Sequence, residues 1–316
     1  MFHTVTQGIA GLFFLFIPLQ SLAGSVYVAL SGDDVTGNGS STNPYATIVR
    51  AHGDISEVGG DILLQSGSYF MGSFSLPSRS GDSWVTVKPS EGRGSVSIFS
   101  YAGGERFARI EGSKTALRDL SIQVAQAKAI SISGEAWDVV IDNCLIDMRY
   151  SDHIENHGVL VESSGSTSKR ITVKGNTFLS PTLAALSVEN NVDVLHFINN
   201  TVHLPMSTPA LFLNPAYAFS GVIVANNVIN YGAAEPAHPV LVMSGTGKGT
   251  KIDANCVATP FHSRAGVLSD RLHTNTISAT NLPFKRFDAA GGQEGASERG
   301  PCVDIIAQEI LGVLQR

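Results

Sequence analysis

Six segments of this chain repeat one pattern, and no other feature restricts its fold as much. Residues 117–122 (LRDLSI), 139–146 (VVIDNCLI), 171–178 (ITVKGNTF), 195–202 (LHFINNTV), 222–229 (VIVANNVI) and 250–257 (TKIDANCV) each alternate apolar and polar side chains. A strand with one buried face must do so. Most of them then bend at a polar residue and resume with a further inward apolar side chain. Aligning the bend gives Leu120, Cys144, Asn176, Asn200, Asn227 and Asn255, separated by 24, 32, 24, 27 and 28 residues. That spacing is close to one coil of a parallel β-helix, in which each repeat buries its apolar face by stacking on the next.

A second family interleaves with the first: residues 108–111 (ARIE), 129–133 (AISIS), 158–162 (GVLVE), 185–189 (ALSVE), 210–214 (ALFLN) and 239–243 (PVLVM). Two strand families alternating at one period fit a solenoid coil, whereas a sandwich would not keep a common polar bend. The asparagine column has a structural role: Asn tolerates left-handed backbone at a tight bend, and stacked amides can satisfy one another. Cys144 reads as a buried small residue in that column. Residues 44–55 (PYATIVRAHGDI) have helical spacing at Tyr45, Ile48, Val49 and Ile55 and would cap one open end of the stack. Residues 302–314 would cap the other. The expected class is all-β, a single-stranded right-handed parallel β-helix: N-terminal cap 24–60, coils 61–260, C-terminal tail and cap 261–316.

Residues 8–19 (GIAGLFFLFIPL) form an apolar run of signal-peptide length, too short to span a bilayer. With Ser21 and Ala23 at the −3 and −1 positions, residues 1–23 read as a signal peptide. The mature chain from Gly24 is then secreted or periplasmic, without membrane insertion. The formal charge of −6 over 316 residues argues against nucleic-acid binding. Cys144, Cys256 and Cys302 make neither a disulfide scaffold nor a metal knuckle; a Cys256–Cys302 bridge and three isolated thiols both remain open. A monomer is expected.

Residues 26–69 (VYVALSGDDVTGNGSSTNPYATIVRAHGDISEVGGDILLQSGSY) resemble the opening of secreted right-handed β-helix proteins of the pectate-lyase-like superfamily. There a strand, an SGxD loop and a P-x-x-T-I helix precede a G-D-x-I coil. Residues 84–123 resemble the next coils of the chondroitinase-B and alginate-lyase group. The resemblance implies a polysaccharide ligand or substrate. That group uses a Lys and an Arg beside Ca²⁺ held by Asn and Glu of neighbouring coils. Here Glu162, Glu189 and Asn214 would fall on neighbouring coils, but Glu189 is followed by Asn190-Asn191-Val192-Asp193 with no Lys. The DPHD motif of the related epimerases is only echoed by Ser151-Asp152-His153-Ile154.

Stacking the second family places Glu111, Ser133, Glu162, Glu189, Asn214 and Met243 in one outward column, with Arg109, Ser131, Leu160, Ser187, Phe212 and Leu241 beside it. Two carboxylates one strand spacing apart, about 4.8 Å, repel. They splay into solvent, share a proton, or hold a cation such as Ca²⁺, with Asp152 as a further ligand. The loop 147–157 (DMRYSDHIENH) enters this face and concentrates Arg149, Tyr150, Asp152, His153 and His157. Its polar character also suits a plain solvent loop. Arg109, Lys128, Ser187, Phe212 and Asn214 are candidate substrate contacts.

Two classes of function follow. One is an enzyme on a uronic-acid polysaccharide that removes the C5 proton, as a lyase or an epimerase. His157 or His153 is then the base, Tyr150 the acid, and Arg149 or a metal on Glu162 and Glu189 neutralises the carboxylate. A glycoside hydrolase would instead use Glu162 and Glu189 directly. The other class is a non-catalytic polysaccharide-binding or surface-interaction protein.

Overall fold

The computed structural model describes residues 24–100, 105–153, 155–205, 208–214, 216–231, 241–242, 251–253 and 255–258. The expected signal segment, the tail 261–316, the second cap and Cys302 lie outside the described residues, so the Cys256–Cys302 pairing does too. Among the described residues there are 24 strands and one helix, and no helix long and apolar enough to cross a membrane.

The strands stack in parallel into three sheets of nine, seven and eight strands, the right-handed parallel β-helix expected. One coil shows the plan: Trp137–Asp142 lies in the nine-stranded sheet, Leu145–Asp147 in the eight-stranded sheet and His157–Val161 in the seven-stranded sheet. Each of the six repeated segments therefore covers a strand, a bend and a second strand. The two sequence families are three faces, because the bend is sharp enough to break one alternating run into two sheets.

Apart from a column of asparagines and a few small polar residues such as Thr115, inward side chains are aliphatic or aromatic. Val139, Ile141 and Ile146 are fully buried, as are Ile171, Val173 and Phe178 one coil later. Phe178 stacks on Phe197 of the following coil, with ring centroids 6.2 Å apart. Each such side chain contributes roughly 1.5–3 kcal/mol through burial.

The asparagine column forms as expected. Asn200 Oδ1 accepts from the Asn176 backbone N–H at 3.0 Å and from Asn176 Nδ2 at 3.1 Å. Asn227 and Asn255 repeat the pattern in the coils that follow. The left-handed residue, however, is the one before the ladder position in the five coils from Leu120 to Asn227: Asp119, Asn143, Gly175, Asn199 and Asn226, with φ between 54° and 65°. The division is physical. One short residue turns the chain with its side chain outward, and the next points inward to bond.

The helix spans Ile48–Ile55, its first turn capped by Thr47, whose hydroxyl accepts from the Arg50 N–H at 3.1 Å. Ile48, Ala51, His52 and Ile55 face the coil stack; Val49 faces solvent instead, 47% exposed. Asp34 receives the Ala46 and Thr47 N–H groups, which fixes the SGxD loop against the helix start. In the G-D-x-I coil, Gly60 adopts φ 136°, and a Cβ there would lie 1.8 Å from the Gly24 carbonyl oxygen. Only glycine lets the first two strands approach so closely. Residues 24–28, expected in the cap, form the first strand of the nine-stranded sheet.

Candidate functional site

The outer face of the seven-stranded sheet carries the candidate site. The register aligns Arg106, Lys128, His157 and Ala184 in successive coils. It aligns Arg109, Ser131, Leu160, Ser187 and Phe212 in a second column. In the last coil Val242, not Leu241, follows Phe212; the run 239–243 therefore enters one residue out of the expected register, and Leu241 pairs with Leu211.

A cleft of about 480 Å³ opens over this face, lined among others by Glu105, Lys128, His153, Glu155, His157 and Glu189. His157 begins its strand, is 7% exposed, and places Nδ1 2.7 Å from Ser187 Oγ in the next coil. Burial, reinforced by the Lys128 ammonium, pushes its pKa down to about 4. The imidazole is thus uncharged at neutral pH, because protonating it would bury a cation beside another. Lys128 is ion-paired with Glu105, which also meets Arg106 at 3.3 Å. These two partners, Lys128 first, hold the Glu105 carboxyl below its ordinary value.

Glu162 does not face Glu189 across a shared proton or ion. Its oxygens lie 2.7 Å from Arg106 Nη1 and 3.5 Å from Arg109 Nη2, and Arg109 Nη1 meets Glu111 at 2.5 Å. This two-guanidinium bridge draws the Glu162 carboxylate toward the strand Arg106–Ile110, and no described hydrogen bond or ion pair joins it to Glu189. The same bridge speaks against Ca²⁺ on Glu162 and Glu189. The third expected ligand, Asp152, has a 96% exposed side chain whose one ion-pair neighbour is His153, at 3.9 Å. Among the described residues no three His, Cys, Asp or Glu side chains gather as a metal site would require. The residues present do not fit the ion, and no step is assigned to it.

The loop 147–157 divides. His153 and Glu155 reach the cleft wall together with His157. Arg149 turns away and grips the buried Asp147 through Nε at 2.9 Å and Nη2 at 2.7 Å, so its guanidinium serves this chain's own carboxylate. Tyr150 is 63% exposed and does not line the cleft. Asn214 Oδ1 accepts from the Ala216 N–H, a local turn bond. Phe212 is half-buried beside Ser187.

Glu105 and Arg106 are absent from the sequence-derived candidates. The alternating pattern begins at Ala108, and the structure extends that strand back to Arg106. The signal that could have found them is the run Glu105-Arg106 immediately before it, the counterpart of Lys128 and His157 before theirs.

No family model and no curated protein matches the chain. Among solved structures, an alginate lyase from Paenibacillus sp. str. FPU-7 is 17% identical, with 63% of this chain and 69% of that one covered at a TM-score of 0.49. The pectin methylesterase from Aspergillus niger in deglycosylated form is 11% identical, with 81% of this chain and 91% of that one covered at a TM-score of 0.48.

Proposed function

We propose that the protein acts on a uronic-acid-containing polysaccharide laid along the seven-stranded sheet, removing the C5 proton of a uronate bound in the cleft. The observation that supports this reading best is the buried, uncharged His157 beside Lys128, oriented by Ser187. With Nδ1–H donating to Ser187 Oγ, the Nε2 lone pair is left for the substrate. The C5 proton is acidic only when the adjacent carboxylate can take up developing negative charge, and Lys128 is the cation beside the base that can stabilise it.

The steps balance simply. Nε2 takes the proton, and the C5–H electrons form the C4–C5 double bond as the C4–O bond breaks. His153, on the same wall, protonates the departing oxygen. Return of a proton to the opposite face of C5 would give the epimer instead. An imidazole with a pKa of about 4 is a weak base in the free protein. An arriving carboxylate reverses the balance, since an anion beside the ring favours its protonated form and strengthens it as a base. Glu189 and Glu155 are placed to accept hydrogen bonds from sugar hydroxyls. Such a polymer is met outside the cell, in keeping with the signal-like segment 1–23.

The test is ultraviolet absorbance of unsaturated uronide, with NMR of uronate epimers, on a panel of polyuronates. Turnover that disappears in a folded His157→Ala variant is the expected result. Turnover that survives the substitution rules out the assigned base. Binding without any product favours the non-catalytic reading, to which the self-paired Lys128–Glu105 and Arg109–Glu111 contacts already lend some support.

A further inference from the structure

Resting on that uronan reading, we infer that Arg106, Arg109 and Ser131 form a second carboxylate-binding subsite beside the cleft. Glu162 is an internal stand-in for the uronate carboxylate that docks there.

Glu162 ends the His157–Val161 coil, yet its oxygens meet guanidiniums from the strand Arg106–Ile110, two coils earlier. It therefore reaches back over the strand Lys128–Ile132, about 10 Å in strand spacings. Beneath that bridge Ser131 faces outward between Arg109 and Leu160 but is fully buried. Its Oγ has no hydrogen-bond partner, and neither has the buried Nε of Arg109. Native proteins seldom leave such groups unpaired, and here two unpaired groups lie in adjacent coils of one column.

Charge points the same way. Lys128, Glu105, Arg106, Glu162, Arg109 and Glu111 form a continuous chain of alternating sign. With Glu162 swung out, Glu105 still holds Lys128 and Arg106, and Glu111 still holds Arg109. One positive charge is then left over, matched by one sugar carboxylate. Two guanidiniums offering donors to a single carboxylate suit a planar anion better than a neutral hydroxyl. Opening the bridge also uncovers the Ser131 hydroxyl as a further donor. The cleft around His157 and this subsite lie on one sheet along the helix axis. A polymer that carries more than one uronate along its length can therefore engage both sites at once, which a polymer with a single uronate cannot.

Calorimetric titration with short oligogalacturonates and oligomannuronates, and with their carboxyl-reduced neutral forms, tests this. Glu162→Gln removes the internal competitor and should tighten oligouronide binding about fivefold, the scale of partly exposed ion pairs. Ser131→Ala should weaken binding severalfold with no loss of melting temperature, and Arg109→Gln should weaken it more. The neutral oligomers should bind all four proteins alike. A folded Glu162→Gln variant with unchanged or weaker binding overturns the subsite. If that variant does not fold, unchanged binding by Ser131→Ala overturns it instead. Turnover that requires His157 but is indifferent to Glu162→Gln sinks the subsite alone. Tighter binding by Glu162→Gln with no product from the wild type sinks the catalytic reading alone. Failure of every oligouronide to bind sinks both.

Discussion

Val194 holds φ at 67° in a column of left-handed residues that otherwise comprises Lys114, Asp138, Arg170 and Gly221. A β-branched L-residue there carries a local cost of about 1–2 kcal/mol, and no hydrogen bond of its side chain offsets it. Replacing Val194 by Asn, which tolerates that region, should raise the free energy of unfolding by about 1 kcal/mol in denaturant titration. An unchanged or lower midpoint would mean that the valine methyls, packed against Gly221, contribute as much as the strain costs. His157 gives the second prediction at this scale. Its pKa of about 4 lies below the ordinary 6.5, so the free protein keeps the base uncharged down to that pH. The acid limb of kcat/KM should then fall near pH 4, where free His157 becomes protonated. The acid limb of kcat should lie higher, because the bound uronate stabilises the imidazolium. Coincident limbs near 6.5 would remove His157 as the base. That a histidine precedes this strand is plain from the sequence. Its burial and its bond to Ser187 are not, because the two residues meet only once a 30-residue coil has closed.

At the scale of elements, the ladder was readable because it obeys one requirement: a polar side chain recurring at an inward position must bond to its own kind in the next coil. The left-handed turn residue was misplaced by one position because composition alone does not distinguish Asn199 from Asn200. Cys144 marks where the ladder stops. Asn176 Oδ1 accepts the Cys144 N–H at 2.9 Å, and Cys144 Sγ points toward the Leu117 carbonyl oxygen at 3.7 Å. In the later coils the equivalent carbonyls, Ile141 and Val173, are taken by Nδ2 of Asn176 and Asn200. Cys144→Asn should therefore extend the ladder by one coil and leave the melting temperature level or raised, although it adds an amide to a fully buried site. Asn200→Ala should do the reverse. It leaves the Asn176 N–H without its acceptor and takes one hydrogen bond each from the Val173 carbonyl, Asn176 Nδ2 and Asn227 Oδ1, a loss of about 3 kcal/mol or more. Equal destabilisation by both substitutions would show that packing volume, and not amide pairing, governs this column.

Across the whole molecule, each coil pairs only with the coil before and the coil after, so the stack behaves as a one-dimensional array. The period and the presence of a cap could be read from the six repeats and from residues 44–55, but the strands Gly24–Val28, Gly60–Leu64 and Val85–Pro89 of the nine-stranded sheet lie outside those repeats. The three-faced cross-section could not be read, since an alternating pattern says which side chains are inside but not where the wall turns. In such an array the end needs the most protection, and the helix Ile48–Ile55 supplies it by lying against the strands Gly24–Val28, Gly60–Leu64, Phe74–Leu76 and Val85–Pro89. Ile55 is 3% exposed there, and Ile55→Ala should cost about 2–4 kcal/mol. In a globular core that loss would be shared by the whole domain. In a stack it should be felt first at the nearest coils, because neighbour contacts further along are untouched. Hydrogen exchange of the variant should therefore speed up across residues 24–100 while residues 171–229, held by the asparagine ladder, keep wild-type protection. A uniform rise in exchange would mean that the coils unfold together and that the cap stabilises the array as one cooperative unit.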